Sequence, residues 1–316
     1  MDGVLCVLKP PGMTSHDVVD VVRRLSGLRR VGHTGTLDPG AAGVLVCCLG
    51  HATRLSEFLT DADKEYRVEL RLGMSTDTGD AYGVPQPAAD PAAAARAVPR
   101  ADLDAALARF VGEIPQIPPM ASAVHHAGTR LYRLARRGEV VEREARRVWI
   151  YRIDVLDASA DGRTVLLHVS CGKGTYIRKL CIDIGEALGV GGYAHFMVRM
   201  RTGPFELEDA ATLEELQSLA ERGSLADAVQ PMDRAVSHLP AVDLPDRSVS
   251  DVLHGHAIPL WKLGDARVSE GSPVRLRSRR GALLALARVE GGALRPFKVL
   301  AGAAQGGPVA HRARPR

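Results

Sequence analysis

Gly32-His33-Thr34-Gly35-Thr36-Leu37-Asp38-Pro39-Gly40-Ala41-Ala42-Gly43 is a glycine-rich loop carrying one acid, and an apolar run, Val44-Leu45-Val46-Cys47-Cys48-Leu49, follows it directly. The run reads as a buried strand. Pro39 fixes its own φ and biases Asp38 toward an extended backbone. The glycines permit backbone angles that other residues resist. Asp38 therefore stands at the mouth of a rigid element, in a loop that a ligand can approach closely. Asp-Pro-Gly alone is a common turn former. That tripeptide by itself reads as a turn, so any further role for Asp38 has to come from the longer pattern around it.

Outward from the loop, residues 4–8 read as a strand ended by Lys9-Pro10-Pro11-Gly12. Thr14 with Asp17 three residues on is a helix-start signature. Val18, Val19, Val22 and Leu25 then mark one face of that helix. After the buried run, Tyr66, Val68, Leu70 and Leu72 alternate with charged residues, the pattern of a half-buried strand. Tyr66 thus points inward, where its hydroxyl needs a partner. Thr76-Asp77-Thr78-Gly79-Asp80 follows as a polar loop. Residues 85–101 are Ala- and Pro-rich without a period and read as a flexible surface linker. Leu103, Ala106, Leu107 and Phe110 mark an amphipathic helix, and 116–126 form an irregular, proline-stiffened segment.

The most basic window comes next: Arg130, Arg133, Arg136, Arg137, Arg143, Arg146, Arg147 and Arg152. Such a run is ordinarily a solvated face, and it also suits an RNA backbone. Residues 148–155 and 165–171 alternate as strands. Cys171-Gly172-Lys173-Gly174-Thr175-Tyr176-Ile177-Arg178 is a strand–turn–helix junction, whose free N–H groups favour an anion. It lacks the G-x-x-x-x-G-K-[ST] spacing of a triphosphate loop, which excludes that class of nucleotide site. Arg199 to Phe205 reads as a strand with basic residues before a turn, and Thr212 with Glu215 caps a further helix. From Leu239 to about residue 302 short strands and glycine turns predict a small β-rich unit, within the size range of domains that fold alone. Residues 303–316 are Gly-, Ala- and Arg-rich, a disordered basic tail.

The chain has 316 residues, 46% hydrophobic and 25% charged, enough for one large or two modest globular domains. Its net charge of +4 is mildly basic and compatible with a polyanionic partner. None of its five cysteines forms a C-x-x-C pair, so neither a metal site nor a disulfide framework is expected. No signal peptide and no membrane-spanning run is legible, and a cytoplasmic location without membrane contact is the expectation.

The loop around Asp38 resembles the catalytic motif of the TruB family of tRNA pseudouridine-55 synthases, G-H-x-G-x-L-D-P-x-A-x-G. The Tyr66 strand, the 173–178 turn and the Arg201-Thr202-Gly203-Pro204-Phe205 strand end resemble further pieces of the same family, in order. The resemblance covers roughly residues 3–235. It implies an α+β fold with a mixed, largely antiparallel sheet flanked by helices over residues 1–238, the pseudouridine synthase fold. It also implies a PUA-like RNA-binding domain over 239–302. The implied activity is isomerisation of uridine 55 in the T-arm stem-loop of tRNA, on a flipped-out base.

By the same resemblance, Asp38, Tyr66 and Arg178 are catalytic: the carboxylate, a stacking tyrosine proposed as proton acceptor, and the arginine that pairs with the aspartate. His33, Asp80, Tyr176, Lys173 and Val198 are substrate-binding positions. The reaction exchanges a C–N for a C–C bond without redox, so no cofactor and no metal is expected. A monomer is the expected state. The chain departs from the family pattern at Ala121 and His125, where tyrosine and lysine are usual, and at Arg54, often lysine. Two rival classes share these features. A non-catalytic tRNA-binding or folding protein could keep the fold, and a base-removing glycosylase would also set an aspartate against a flipped nucleotide.

Overall fold

The computed structural model describes residues 1–87, 90–122, 124–126, 128–135, 137–263 and 268–300. The tail read at 303–316 and Ala123 of the departing segment lie outside the described residues.

The elements that frame the site are β1 (Gly3–Lys9), α1 (Ser15–Ser26), β2 (Val31–His33), β3 (Ala42–Leu49) and β4 (Lys64–Leu72). They continue with α2 (Arg100–Ala108), β5 (Gly112–Gln116), β6 (Arg146–Ala158), β7 (Thr164–Cys171), α3 (Ile177–Ala187), β8 (Gly192–Thr202), β9 (Phe205–Glu206) and α4 (Leu213–Glu221). Among the described residues, nine strands form one sheet in the order β1-β3-β8-β4-β7-β6-β5, with β2 on β3 and β9 on β8. Every pairing in it is antiparallel except β8 with β3. This is the mixed, largely antiparallel α+β architecture expected.

The local signals explain the elements. Thr14 and Asp17 form the reciprocal capping box that starts α1, and left-handed Gly27 ends it. Thr212 and Glu215 do the same for α4. Every residue of β3 is buried, as a strand covered on both faces requires. On one face, Leu45, Cys47, Tyr66, Val68, Leu70, Val165 and Leu167 meet Val18, Val19 and Val22 of α1, Leu103 of α2, Leu180 and Ile184 of α3, and Leu216 of α4. The helices therefore sit on the Tyr66 side of the sheet.

Within the stretch 85–101, residues 90–101 are more ordered than a patternless linker. Asp90 caps a one-turn helix, Pro91–Ala95, by accepting from the N–H groups of Ala92 and Ala93. Ala94 and Val98 are buried, and α2 already begins at Arg100. The Asp90-Pro91 pair is an N-cap followed by proline at the first helical position, a start signal masked by the surrounding alanines.

The C-terminal unit comprises β10 (Ala241–Leu244), α5 (Asp246–Leu253), β11 (Ile258–Pro259), β12 (Pro273–Ser278), β13 (Leu283–Glu290) and β14 (Ala293–Val299). Its five strands run in the order β10-β12-β13-β14-β11, around Val252, Ile258, Val274, Leu276 and Leu294. It is docked rather than tethered. Leu283, Leu286 and Leu300 pack with Val44, Val46, Leu55, Leu59 and Phe205 against the face of β1 and β3 opposite α1, α2, α3 and α4. Arg275 pairs with Asp233 at 2.7 Å, and Lys298 donates to the carbonyl of Arg54 at 2.9 Å, both across the junction.

Candidate active site

Asp38 lies in the loop between β2 and β3, and several elements pin that loop. The Ser15 hydroxyl at the start of α1 donates to the carbonyl of Leu37 and accepts its N–H. Lys9, fully buried, donates from Nζ to the carbonyls of Pro10, Met13 and Pro39. Burial lowers the Lys9 pKa to about 8, and the Asp38 charge opposes that shift. Gly43 has φ of 112°, and a Cβ there would lie 2.2 Å from the carbonyl oxygen of Arg199. Glycine is required at this position because Gly43 lies directly against the Arg199 backbone, in the short parallel pairing of Ala42 with Val198 and Gly43 with Arg199.

Arg178, in the first turn of α3, is the counter-ion. Its Nε donates to Asp38 Oδ2 at 2.8 Å and its Nη2 to Asp38 Oδ1 at 3.0 Å, a two-pronged fork on the carboxylate. Nη1 donates to the carbonyl of Thr78 at 2.7 Å, and Nη2 also to that of Ala121 at 2.8 Å. Asp80 Oδ2 stands 3.7 Å from Nε. The guanidinium side chain is 3% exposed and the Asp38 side chain 35%, so the acid faces an opening while the base supporting it is buried. Three separate loops converge on this one side chain. The Ala121 departure matters little to the contact, because the acceptor is the backbone carbonyl.

Gln116, at the end of β5, explains why α3 starts where it does. Its buried amide accepts from the N–H of Tyr176 at 2.7 Å and donates to the Tyr176 carbonyl at 3.1 Å. Tyr176 is half-buried, and burial raises its pKa while Arg146 and Arg178 pull it down. Tyr66 is deeper. Burial pushes its phenol up, and the Arg199 cation pulls back, with Asp38 adding a smaller upward push. The phenol is therefore neutral near pH 7, which suits a stacking surface and a hydrogen-bond donor.

Arg199 is the buried cation against the Asp38 loop that the sequence alone does not single out. It is 2% exposed. It donates to the carbonyls of Val44 at 2.8 Å, Gly35 at 3.0 Å and Thr36 at 3.4 Å, bracketing the Asp38 loop from beneath. It pairs in register with Tyr66. An arginine in an alternating strand ordinarily reads as solvent-facing, and its acceptors come from residues more than 150 positions away. The signal that could have found it is the register: two residues from Met197, on the same face.

The remaining positions divide. Asp80 accepts from the Thr78 hydroxyl at 2.7 Å and from the N–H of Tyr82 at 3.0 Å, close to the Arg178 fork. His33 ends β2, and its Nδ1 accepts from the N–H of Gly35 at 3.3 Å, within the same loop. Lys173 is exposed and pairs with Asp61 at 2.8 Å, not with the Asp38 cluster. Val198 pairs with Arg67, on the sheet face opposite Tyr66, whereas buried Met197 pairs with Val68 on the Tyr66 face. The one-residue difference reverses the face, as the period of a strand dictates, so within that region Met197 shares the Tyr66 face and Val198 does not. Of the basic window, Arg137, Arg147 and Arg152 make exposed pairs with Glu139, Glu113 and Asp154. Arg136 lies outside the described residues. Among the described residues no cluster of His, Cys, Asp or Glu could hold a metal ion, and no helix is long and apolar enough to cross a membrane.

Comparison with known proteins accounts for this arrangement. Residues 23–177 match the N-terminal domain model of the TruB family pseudouridylate synthases, and 178–237 match the tRNA pseudouridylate synthase B C-terminal domain. A tRNA pseudouridine synthase B of Pelotomaculum thermopropionicum is 49% identical over 294 residues, covering 91% of each chain. The chain belongs to the TruB family. The Symbiobacterium thermophilum member, also a tRNA pseudouridine synthase B, is 50% identical over 258 residues, covering 81% of this chain and 83% of its own. Among solved structures, a chain of a Cbf5-Nop10-Gar1 complex superposes with a TM-score of 0.73 at 33% identity, covering 95% of this chain and 85% of that one. A chain of an H/ACA RNP bound to a substrate RNA containing 2'-deoxyuridine gives 0.73 at 31%, covering 96% and 86%. Both TruB models end before β10, so neither describes the C-terminal unit.

Proposed function

We infer that this TruB-family protein isomerises uridine 55 in the T-arm of tRNA to pseudouridine, with the Asp38 carboxylate as the reacting protein group. The observation that carries the reading is the buried Arg178 fork, which holds the partly exposed Asp38 carboxylate in one orientation, with Asp80 beside the same guanidinium and the Asp38 charge felt at Tyr66 and Tyr176. The reaction breaks the N1–C1′ bond of the nucleotide and joins C5 of the same uracil to C1′. N1 gains a proton and C5 loses one, so nothing is added and no cofactor or metal takes part in this reading.

The target base must first leave its stack, which costs a few kcal/mol. Tyr66, neutral and inward, offers a π-face to offset that cost. Arg178 lets a carboxylate persist in a partly covered site without repelling the RNA it serves. His33 and Asp80 stand at the same rim and position the nucleotide. The C-terminal unit acts as a PUA-like RNA-binding module, and exposed arginines such as Arg133 and Arg146 supply phosphate contacts. On this reading the protein works as a cytoplasmic monomer.

A non-catalytic tRNA-binding protein has no use for an acid held beside phosphates. A glycosylase would leave an abasic site. Incubating the protein with unmodified tRNA separates all three: pseudouridine supports the reading, while an abasic site or unchanged tRNA overturns it. A uridine-55-to-cytidine transcript that still yields product would contradict the position.

A further inference from the structure

Aromatic residues are 4% of this chain and only six are tyrosines, yet the Asp38 charge is felt at two of them, Tyr66 and Tyr176, and a third, Tyr82, lies on Gly40 of the same loop. Tyr66 is 8% exposed, Tyr176 is half-buried and Tyr82 is 73% exposed. The first two belong to the site already described. Tyr82 does not. Its ring lies on Gly40, two residues from Asp38: a methyl at Gly40 would come within 2.2 Å of Tyr82 Cε2 and 2.7 Å of Cδ2. The absence of a side chain at 40 is what lets the ring lie there.

The loop that presents Tyr82 is closed on itself. The carboxylate of Asp80 accepts the Tyr82 N–H at 3.0 Å, and the Gly83 N–H donates to the Asp80 carbonyl at 3.2 Å. Asp77 accepts the Val84 N–H at 2.7 Å and its own N–H donates to the Val84 carbonyl at 3.1 Å. The ring is thus fixed from its backbone side by the acid that also faces Arg178, and from below by the catalytic loop, while its outer surface is open. A solvent-facing ring held this way loses little freedom when something stacks on it.

We propose that Tyr82 is a substrate-contact residue: its exposed face stacks on a base of the substrate RNA next to the flipped uridine, at the rim of the Asp38 opening. Removing one base from an RNA loop leaves its neighbours without a stacking partner, and a rigid aromatic face beside the exit supplies one. This inference rests on the proposed function. The test uses full-length protein and a T-arm stem-loop RNA, with Tyr82→Ala, Tyr82→Phe and Tyr82→Trp. Dissociation constants, salt dependence and single-turnover rates are measured on each.

Stacking predicts that Tyr82→Ala weakens binding by about 5- to 150-fold. The slope of log Kd against log salt should stay that of the parent, because no phosphate contact is lost. The rate at saturating RNA should move far less than Kd. Phe and Trp should retain binding. Parental affinity in the Ala variant overturns the proposal. So does a fall in the saturated rate with binding intact, which would make the ring a mere support for Gly40. Parental protein that forms no pseudouridine on any tRNA overturns the function reading itself, before any variant is compared.

Discussion

Arg178→Met removes the group on which three loops converge, and the structure sets the size of the effect. Four hydrogen bonds disappear: two to Asp38 and one each to the carbonyls of Thr78 and Ala121. Breaking a fully buried pair by deleting one partner costs about 3–5 kcal/mol. Here the abandoned carboxylates of Asp38 and Asp80 are 35% and 21% exposed, so water can hydrate them. The two carbonyls lose charged donors, while a buried cation no longer needs support. The net loss of unfolding free energy should be about 2–4 kcal/mol. Arg178→Lys should lose less, since it keeps the charge.

Catalysis should separate from stability in that pair of variants. Lysine cannot form the fork, so Asp38 gains rotational freedom. A misplacement of about 1 Å costs on the order of a hundredfold in rate. Urea unfolding gives the stability, and single-turnover pseudouridine formation on folded protein gives the rate. Arg178→Lys with the parental rate would refute the claim that the fork, rather than nearby positive charge, orients Asp38. Arg178→Met with the parental urea midpoint would refute its structural role.

Three further outcomes follow from the same geometry. Arg199→Met leaves the carbonyls of Val44 and Gly35 without their charged donor, so urea titration should show a loss of about 2–4 kcal/mol, with a slower rate at saturating RNA; unchanged values for both would dismiss it as a positioning residue. Removing residues 239–316 uncovers Leu55, Leu59 and Phe205 and discards Leu283, Leu286 and Leu300, each worth about 1.5–3 kcal/mol of burial, so a calorimetric scan should show a sharply lower Tm or aggregation; a truncated chain as stable as the whole would mean the units fold independently. Lys9 and Lys64 have pKa values lowered to about 8 by burial, so above pH 8 the folded state binds fewer protons than the unfolded state and stability should rise. The buried thiols, pushed up, act oppositely above about pH 9, so urea midpoints at pH 7.5 and 8.8 are compared between the parent and Lys9→Met. A rise as steep in the variant as in the parent would count against Lys9.

What was legible in the sequence was local. The β3 run, the Tyr66 alternation and the capping boxes at Thr14 and Thr212 rest on periodicity and cap chemistry within a few residues. The glycine-rich loop that carries Asp38 was legible from its own residues, and the catalytic role of Asp38 came from the family resemblance of the twelve-residue string. Arg178 came from resemblance, since its edge position on α3 does not by itself announce a partner 140 residues away. What was not legible depends on long-range pairing. Buried Lys9, Arg199 and Gln116 satisfy backbone groups that the sequence does not bring together. Register, not composition, decides that Met197 rather than Val198 shares the Tyr66 face of β8. The docking of the C-terminal unit was not legible, because the leucines that make it look like ordinary core residues of its own sheet.

The central claim is that Asp38 is the reacting carboxylate, and Asp38→Asn tests it most directly. Asparagine keeps the size and the turn-forming ability of aspartate but not its charge. The measurement is pseudouridine yield from unmodified tRNA under single-turnover conditions, with RNA affinity taken on the same preparation and the protein checked for deamidation. The account predicts background yield, a loss of at least several kcal/mol in transition-state stabilisation, with binding retained because phosphate contacts and stacking lie elsewhere. Substantial pseudouridine from folded Asp38→Asn protein would contradict it.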